Sequence, residues 1–183
     1  MLEAITEFLR AIASLIPRLH VMSEKEGGVA WVRGKPRQLV SGGITFYWPV
    51  WTELEIISLK RATLNLDYQT VVMRGKKGEP ITVTVSAVVS YEVANAFNAV
   101  TKLGDHDDVL GDLSLGAVRN ALYGRSLDDI LSDECDIEAE MKREISGSVR
   151  AFGIKVHRVF FSTVAVTRAY TLLGNSGQHI IEE

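Results

Sequence analysis

Across residues 81–93 the chain alternates apolar and polar positions almost without interruption. Ile81, Val83, Val85, Ala87, Val89, Tyr91 and Val93 fall on one side of an extended backbone. Thr82, Thr84, Ser86, Ser90 and Glu92 fall mostly on the other. A period of two held this long does not fit a helix. It reads as a strand of an antiparallel sheet with one buried face. The period then changes. Val109, Leu110, Leu113, Ala117, Ala121 and Leu122 recur at helical spacing behind an acidic start at 105–108, which suits the positive end of a helix dipole. Gly124 stops that helix, and Ser126-Leu127-Asp128-Asp129 has the pattern of a capping box. Ile130, Ile137, Met141, Ile145 and Val149 carry a second helical stretch to Phe152, with Gly153 at the C-cap position. Residues 154–166 are β-branched and aromatic, a returning strand. Strands followed by helices and one closing strand predict an α+β fold.

Upstream, 23–28 (SEKEGG) has the composition of a linker. Strands are expected at 29–32, 54–60 and 63–72, a turn at Gly42-Gly43, and a polar, basic turn at 73–80. The first segment is amphipathic. Leu2, Ile5, Phe8, Leu9, Ile12, Leu15 and Ile16 share one helical face, Glu3, Thr6, Glu7, Arg10 and Ser14 the other, and Pro17 ends the pattern. Such a helix is about 20 Å long, too short for a hydrocarbon core of about 30 Å. Two placements bury its apolar face: packing on the domain or on a neighbouring copy, or lying in a membrane interface. The aromatic run Phe46-Tyr47-Trp48-Pro49-Val50-Trp51 also has two readings, core strand or surface for membrane or partner. Because a strand alternates faces, some of these rings must stay at a surface.

The 183 residues are 46% hydrophobic and 23% charged, which excludes a disordered chain. A net charge of -3 argues against a nucleic-acid partner. One cysteine excludes an internal disulfide and points to a reducing compartment, the cytoplasm. The start Met1-Leu2-Glu3 lacks a basic n-region, so no signal peptide is expected. Charge is segregated: residues 105–144 hold 12 acidic and 4 basic side chains, residues 1–104 hold 9 and 12. Acidic Asp128, Asp129, Asp133, Glu134, Asp136 and Glu138 therefore face two readings, a solvated helix surface or one side of a subunit contact. The basic groups Lys60-Arg61 and Arg74-Gly75-Lys76-Lys77 are either soluble turns or the complementary side, with anionic headgroups as a further partner.

Catalytic signals are weak. His106-Asp107-Asp108 is the one suggestive cluster and fits a solvated helix N-terminus; the four histidines show no metal-ligand spacing. Cys135 lies between Glu134 and Asp136, which makes it a poor nucleophile. No catalytic residue, metal or cofactor is expected.

Several stretches in order resemble the SPFH or band 7 family of stomatins, prohibitins and flotillins. They are GGVAWVRGKP, GGITFYWPVWTELEIISLK, TLNLDYQTVVMRGKKGEPITVTVSAVVSYEV, ALYGRSLDDILSDECDIEAEM and AFGIKVHRVFFSTV, spanning roughly 29–166. The resemblance implies an SPFH fold with a β-rich subdomain at 29–95 and a helical subdomain closed by a strand at 96–167. The amphipathic helix and linker (1–28) precede it and a tail (168–183) follows. It further implies a non-enzymatic scaffold that self-assembles into a ring or cage on the inner face of a membrane, with a membrane protein or protease among its partners. Tyr47, Trp48, Trp51 and the apolar face of residues 2–16 would then meet membrane or partner. The alternative is a structural ring or shell component of a larger particle, virus-encoded or not, without membrane binding. The chain departs from the stomatin pattern in two respects: it has no long hydrophobic hairpin before the domain and no sustained heptads in 167–183.

Overall fold

The alternating run is the strand around which the protein is built. A computed structural model describes residues 16–39, 41–75, 78–132 and 134–167. In chain order these form β1 (Arg18–Val21), β2 (Glu26–Val32), β3 (Lys35–Leu39), β4 (Ile44–Tyr47), β5 (Thr52–Ser58), β6 (Ala62–Asn65), β7 (Gln69–Arg74), β8 (Pro80–Val93), α1 (Ala96–Lys102), α2 (His106–Leu122), α3 (Leu127–Ser132), α4 (Glu134–Val149), a 3-10 turn (Arg150–Phe152) and β9 (Ile154–Val166). This is an α+β architecture. The amphipathic segment 2–15 lies outside the described residues.

β8 is paired along both edges, antiparallel throughout. β9 lies along 83–93 on one edge, while β6 and β7 lie end to end on the other, opposite 88–91 and 80–85. The single strand expected at 63–72 is thus two strands. The chain leaves the ladder at Leu66, whose side chain is buried and whose N–H still donates to the Ala87 carbonyl at 2.9 Å. The Ser86 hydroxyl bridges the gap, donating to the Leu66 carbonyl at 2.8 Å and accepting from Ser162 Oγ at 3.1 Å. β9 carries one residue more than β8 at Ser162 and again at His157, the two register shifts of the pair.

The expected apolar face of β8 is buried from Val83 to Val93. It meets Leu110, Val118 and Leu122 of α2, Ile130 of α3, and Ile137, Met141, Ile145 and Val149 of α4, each at most 1% exposed. The capping box is reciprocal: Ser126 N–H donates to Asp129 Oδ2 (2.9 Å) and Asp129 N–H to Ser126 Oγ (3.2 Å). Gly153 takes the left-handed conformation its C-cap position requires. The pattern at 96–102 is too short to show a periodicity, so α1 is an element the sequence reading lacks. Asn95 marks its start by accepting from Asn98 N–H at 3.1 Å.

The linker reading of 23–28 is overturned at its end. Glu26, Gly27 and Gly28 open β2, which lies between β3 and β5. Gly27 and Gly28 are buried, because a Cβ on Gly28 would sit 2.3 Å from the Glu55 carbonyl oxygen and one on Gly27 2.7 Å from the Ala96 Cβ. Both serve close backbone approach, not freedom of motion. The other face of this small sheet builds a second, thinner core of Met22, Ala30 and Leu39, with Val32, Leu54 and Ile56 packed against it.

Two glycine substitutions should move stability in opposite directions. Gly28→Ala drives a methyl into β5 backbone and should cost about 1–3 kcal/mol. Gly116→Ala, on an exposed turn of α2 with no atom within 4 Å of the new methyl, should gain about 0.5–1 kcal/mol. Thermal melts of the two variants beside wild type check both signs.

Candidate interaction surface

β1 and β4 form a separate two-stranded ribbon in which Leu19 faces Phe46 and Val21 faces Ile44. Directly opposed residues share a face, so these four side chains make one apolar patch. It is not covered by the described residues: Leu19, Val21, Ile44 and Phe46 are 52%, 65%, 62% and 71% exposed. The turn that follows β4 adds Trp48, Val50 and Trp51, also exposed, with the two indoles 6.0 Å apart. Ile16, the last residue of the predicted amphipathic face, is exposed just before β1. Single exposed apolar residues are ordinary, but a contiguous set of this size marks a contact surface. Between the ribbon and the small sheet lies a groove of about 450 Å³ lined by Ala30, Val32, Leu39, Tyr47 and Trp51 among others.

The structure brings Trp48 and Trp51 to this surface and half-buries Tyr47 beside the groove. Ile44–Trp51 is thus not a core strand. The sequence reading did not assign Leu19, Val21 or Ile44 to the contact, and placed Phe46 and Val50 in the aromatic run without naming them as contact residues. The alternation of Arg18, Leu19, His20 and Val21 was its one local signal. Leu2, Ile5, Phe8, Leu9, Ile12 and Leu15 lie outside the described residues.

The charged candidates are dispersed. Lys76, Lys77 and Asp133 lie outside the described residues, and Glu134 begins α4. Lys60, Arg74, Asp128 and Asp136 are exposed. Arg61 Nη2 donates to Nδ1 of His157 at 3.1 Å. That fixes the imidazole tautomer, because a guanidinium only donates. His157 Nε2 then faces Glu92 Oε2 at 2.9 Å, out of line for a hydrogen bond. Lys155 Nζ holds the other Glu92 oxygen at 3.0 Å, and that contact, ahead of the neighbouring His157, keeps the Glu92 carboxyl below its ordinary range. Glu138 turns inward and accepts from Phe161 N–H on β9 at 3.3 Å. One Asp129 oxygen is engaged in the capping box, whose Ser126 N–H holds that carboxyl low.

His106, Asp107 and Asp108 stand at the start of α2. Asp105 caps the helix, accepting from Asp107 N–H at 2.8 Å. Asp107 accepts from the phenol of Tyr91, whose pKa is raised by burial and then by that carboxylate. The cluster is therefore engaged in holding α2 against β8. Among the described residues no three His, Cys, Asp or Glu side chains are placed to hold a metal.

A family model described as SPFH domain / Band 7 family matches residues 20–171. The chain belongs to the SPFH/band 7 family. Among its relatives, Stomatin-1 of Caenorhabditis elegans is 30% identical over 153 residues, 83% of this chain and 45% of its own length. Mouse Stomatin is 30% identical over 117 residues, 64% of this chain and 40% of its own. An uncharacterized protein of Archaeoglobus fulgidus is 26% identical over 145 residues, 79% of this chain and 57% of its own. The chain thus spans about half the length of the curated relatives it matches. Among the described residues, no helix of this SPFH domain is long and apolar enough to cross a membrane.

The apolar ribbon face should be dispensable for folding. Phe46→Ser should shift stability by no more than about 0.5 kcal/mol, whereas Met22→Ala, which empties the small core behind the ribbon, should cost about 2–3 kcal/mol; urea unfolding of the two variants checks the contrast. The Glu92 contacts set an acid-side dependence. A carboxyl held below its ordinary value of 4.5 stabilises above that pH and loses its contribution as pH falls through the lower folded value. Glu92→Gln should therefore melt below wild type at pH 7, and the gap should close under acid, as melts across a pH series will show.

Proposed function

We propose that this chain is a non-enzymatic, self-assembling scaffold of stomatin type that rests on a membrane surface, cytoplasmic and peripheral on the inner face. One observation carries the reading: an SPFH domain leaves Leu19, Val21, Ile44, Phe46, Trp48, Val50 and Trp51 together and exposed. Exposed Trp and aliphatic side chains, in a chain whose sequence at 2–16 has an amphipathic pattern, suit the boundary between headgroups and acyl chains. Self-assembly into a ring or cage rests on charge segregation. Exposed Lys60 comes from the strand region and exposed Asp136 from the helical one, so that one copy's helices meet the next copy's basic side. A head-to-tail contact of that kind closes into a ring when its rotation permits. A membrane protein or protease held by such a ring is the partner this reading carries over from stomatin-type scaffolds.

The same apolar face in a shell component without lipid would seat a second copy instead, and the two readings differ in a simple measurement. Wild type should float with liposomes, and Phe46→Ser/Trp48→Ser should remain in the soluble fraction with its melting temperature unchanged. Native mass in lipid-free buffer supplies the second arm. A defined ring that the double substitution breaks apart, with no flotation of wild type, assigns the face to a neighbouring copy and overturns the membrane reading.

A further inference from the structure

We infer that the β2–β3 hairpin is the edge of this surface that recognises anionic lipid headgroups, through Arg33, Lys35 and Arg37. The inference rests on the membrane reading above and adds the lipid class to it.

Register fixes the hairpin. Val32 pairs with Lys35, which leaves a two-residue turn of Arg33 and Gly34, both at positive φ, 50° and 76°. Such a turn takes Asn or Gly readily at its first position. An arginine there is sterically disfavoured, so turn formation does not account for it. Its side chain does: the guanidinium lies 6.0 Å from the Trp51 ring centre, while the main-chain N–H, which any residue there offers, donates to the Trp51 carbonyl at 2.9 Å. The basic turn is therefore fastened to the aromatic turn. Arg37 lines the groove that also holds Phe46, Trp48 and Trp51, and Lys35 and Arg37 are exposed along β3. Among residues lining the grooves on either side of turn 48–51, the charged ones are Arg33, Arg37 and Glu53. Glu55, nearby on β5, is engaged by the Trp31 indole N–H at 3.1 Å. Arg33, Lys35 and Arg37 outnumber Glu53 and Glu55 at this end of the protein, and the patch beside them is apolar. An inserted apolar face rimmed by cations meets its complement where acyl chains end and phosphate or carboxylate headgroups begin.

The experiment uses the full chain and two vesicle types, pure phosphatidylcholine and phosphatidylcholine with about a third phosphatidylserine, read by co-sedimentation at low and at moderate salt. Wild type should partition more strongly onto the anionic vesicles, by about fivefold for each cation that reaches the surface, and salt should erode the difference. Arg33→Asn/Lys35→Gln/Arg37→Gln should bind both vesicle types equally, at the phosphatidylcholine level. Asn suits the left-handed turn position better than Arg, so the melting temperature should not fall, and loss of binding will not be loss of fold. Lys142→Gln/Arg143→Gln/Arg150→Gln, an equal charge change on exposed residues midway along α4 and just beyond its end, should keep the anionic preference. If wild type binds both vesicle types alike and without salt dependence, the headgroup inference is wrong while the membrane reading stands. If the hairpin variant keeps the preference, or the α4 variant loses it to the same extent, the assignment to this hairpin is overturned. Binding to neither vesicle type overturns both.

Discussion

Everything in this fold is referred to β8, because that strand must satisfy both of its edges and one whole face at once. A strand of this length carries a long row of backbone donors and acceptors, and inside a protein each needs a partner. β9 supplies one edge in a single pass. The other edge is filled by two shorter strands, and the gap between them is closed by the Ser162–Ser86–Leu66 hydrogen-bond chain. The bulges on β9 follow from the same demand. A long two-stranded ribbon twists, and an extra residue at Ser162 and at His157 lets β9 bend with β8 while keeping its inward side chains on the helices. The bulge at His157 also delivers the imidazole to the Arg61–Glu92–Lys155 group.

The two cores divide stability from surface. The sheet around β8 and the helices against it bury more than twenty side chains in one contiguous cluster. The small sheet and its ribbon share three, Met22, Ala30 and Leu39. A region with so thin a core keeps its apolar residues outside only where something else selects for them. That contrast, not the number of exposed hydrophobics, makes the ribbon the surface of interest. Val72 and Tyr123 are exposed as well and line one groove, but they are two side chains against the seven of the ribbon and its turn.

Legibility in the sequence followed period and length. The face of β8, the Ile130–Val149 stripe, the Ser126 capping box and the Gly153 cap were all readable, because each is a local rule repeated or reinforced. The failures share a cause. Gly27-Gly28 looks like a hinge because nothing local distinguishes a glycine chosen for freedom from one chosen for space; Glu55 and Ala96, which need that space, lie roughly 25 to 70 positions further along. β1 and α1 are too short for a period to emerge. Trp48 and Trp51 were legible as surface candidates from composition, whereas Leu19 and Val21 became part of that surface only through their pairing with β4. Asp129 was legible through its capping box, whereas Glu138 was legible only as a charge, because the Phe161 N–H that holds it comes from a distant strand.

Arg33 shows where a broken local rule carries information. The turn 33–34 would form more easily with Asn or Gly at its first position, and the fold gains no buried contact from the arginine, whose side chain lies out over Trp51. A residue that costs backbone energy and contributes no core packing is retained for what it does at the surface. The hydrogen bond from its N–H to the Trp51 carbonyl joins two turns that come from different parts of the chain. That bond makes the basic and aromatic residues a single surface of fixed geometry. With the two backbones joined, cation and indole start out side by side, which lessens the ordering that contact requires.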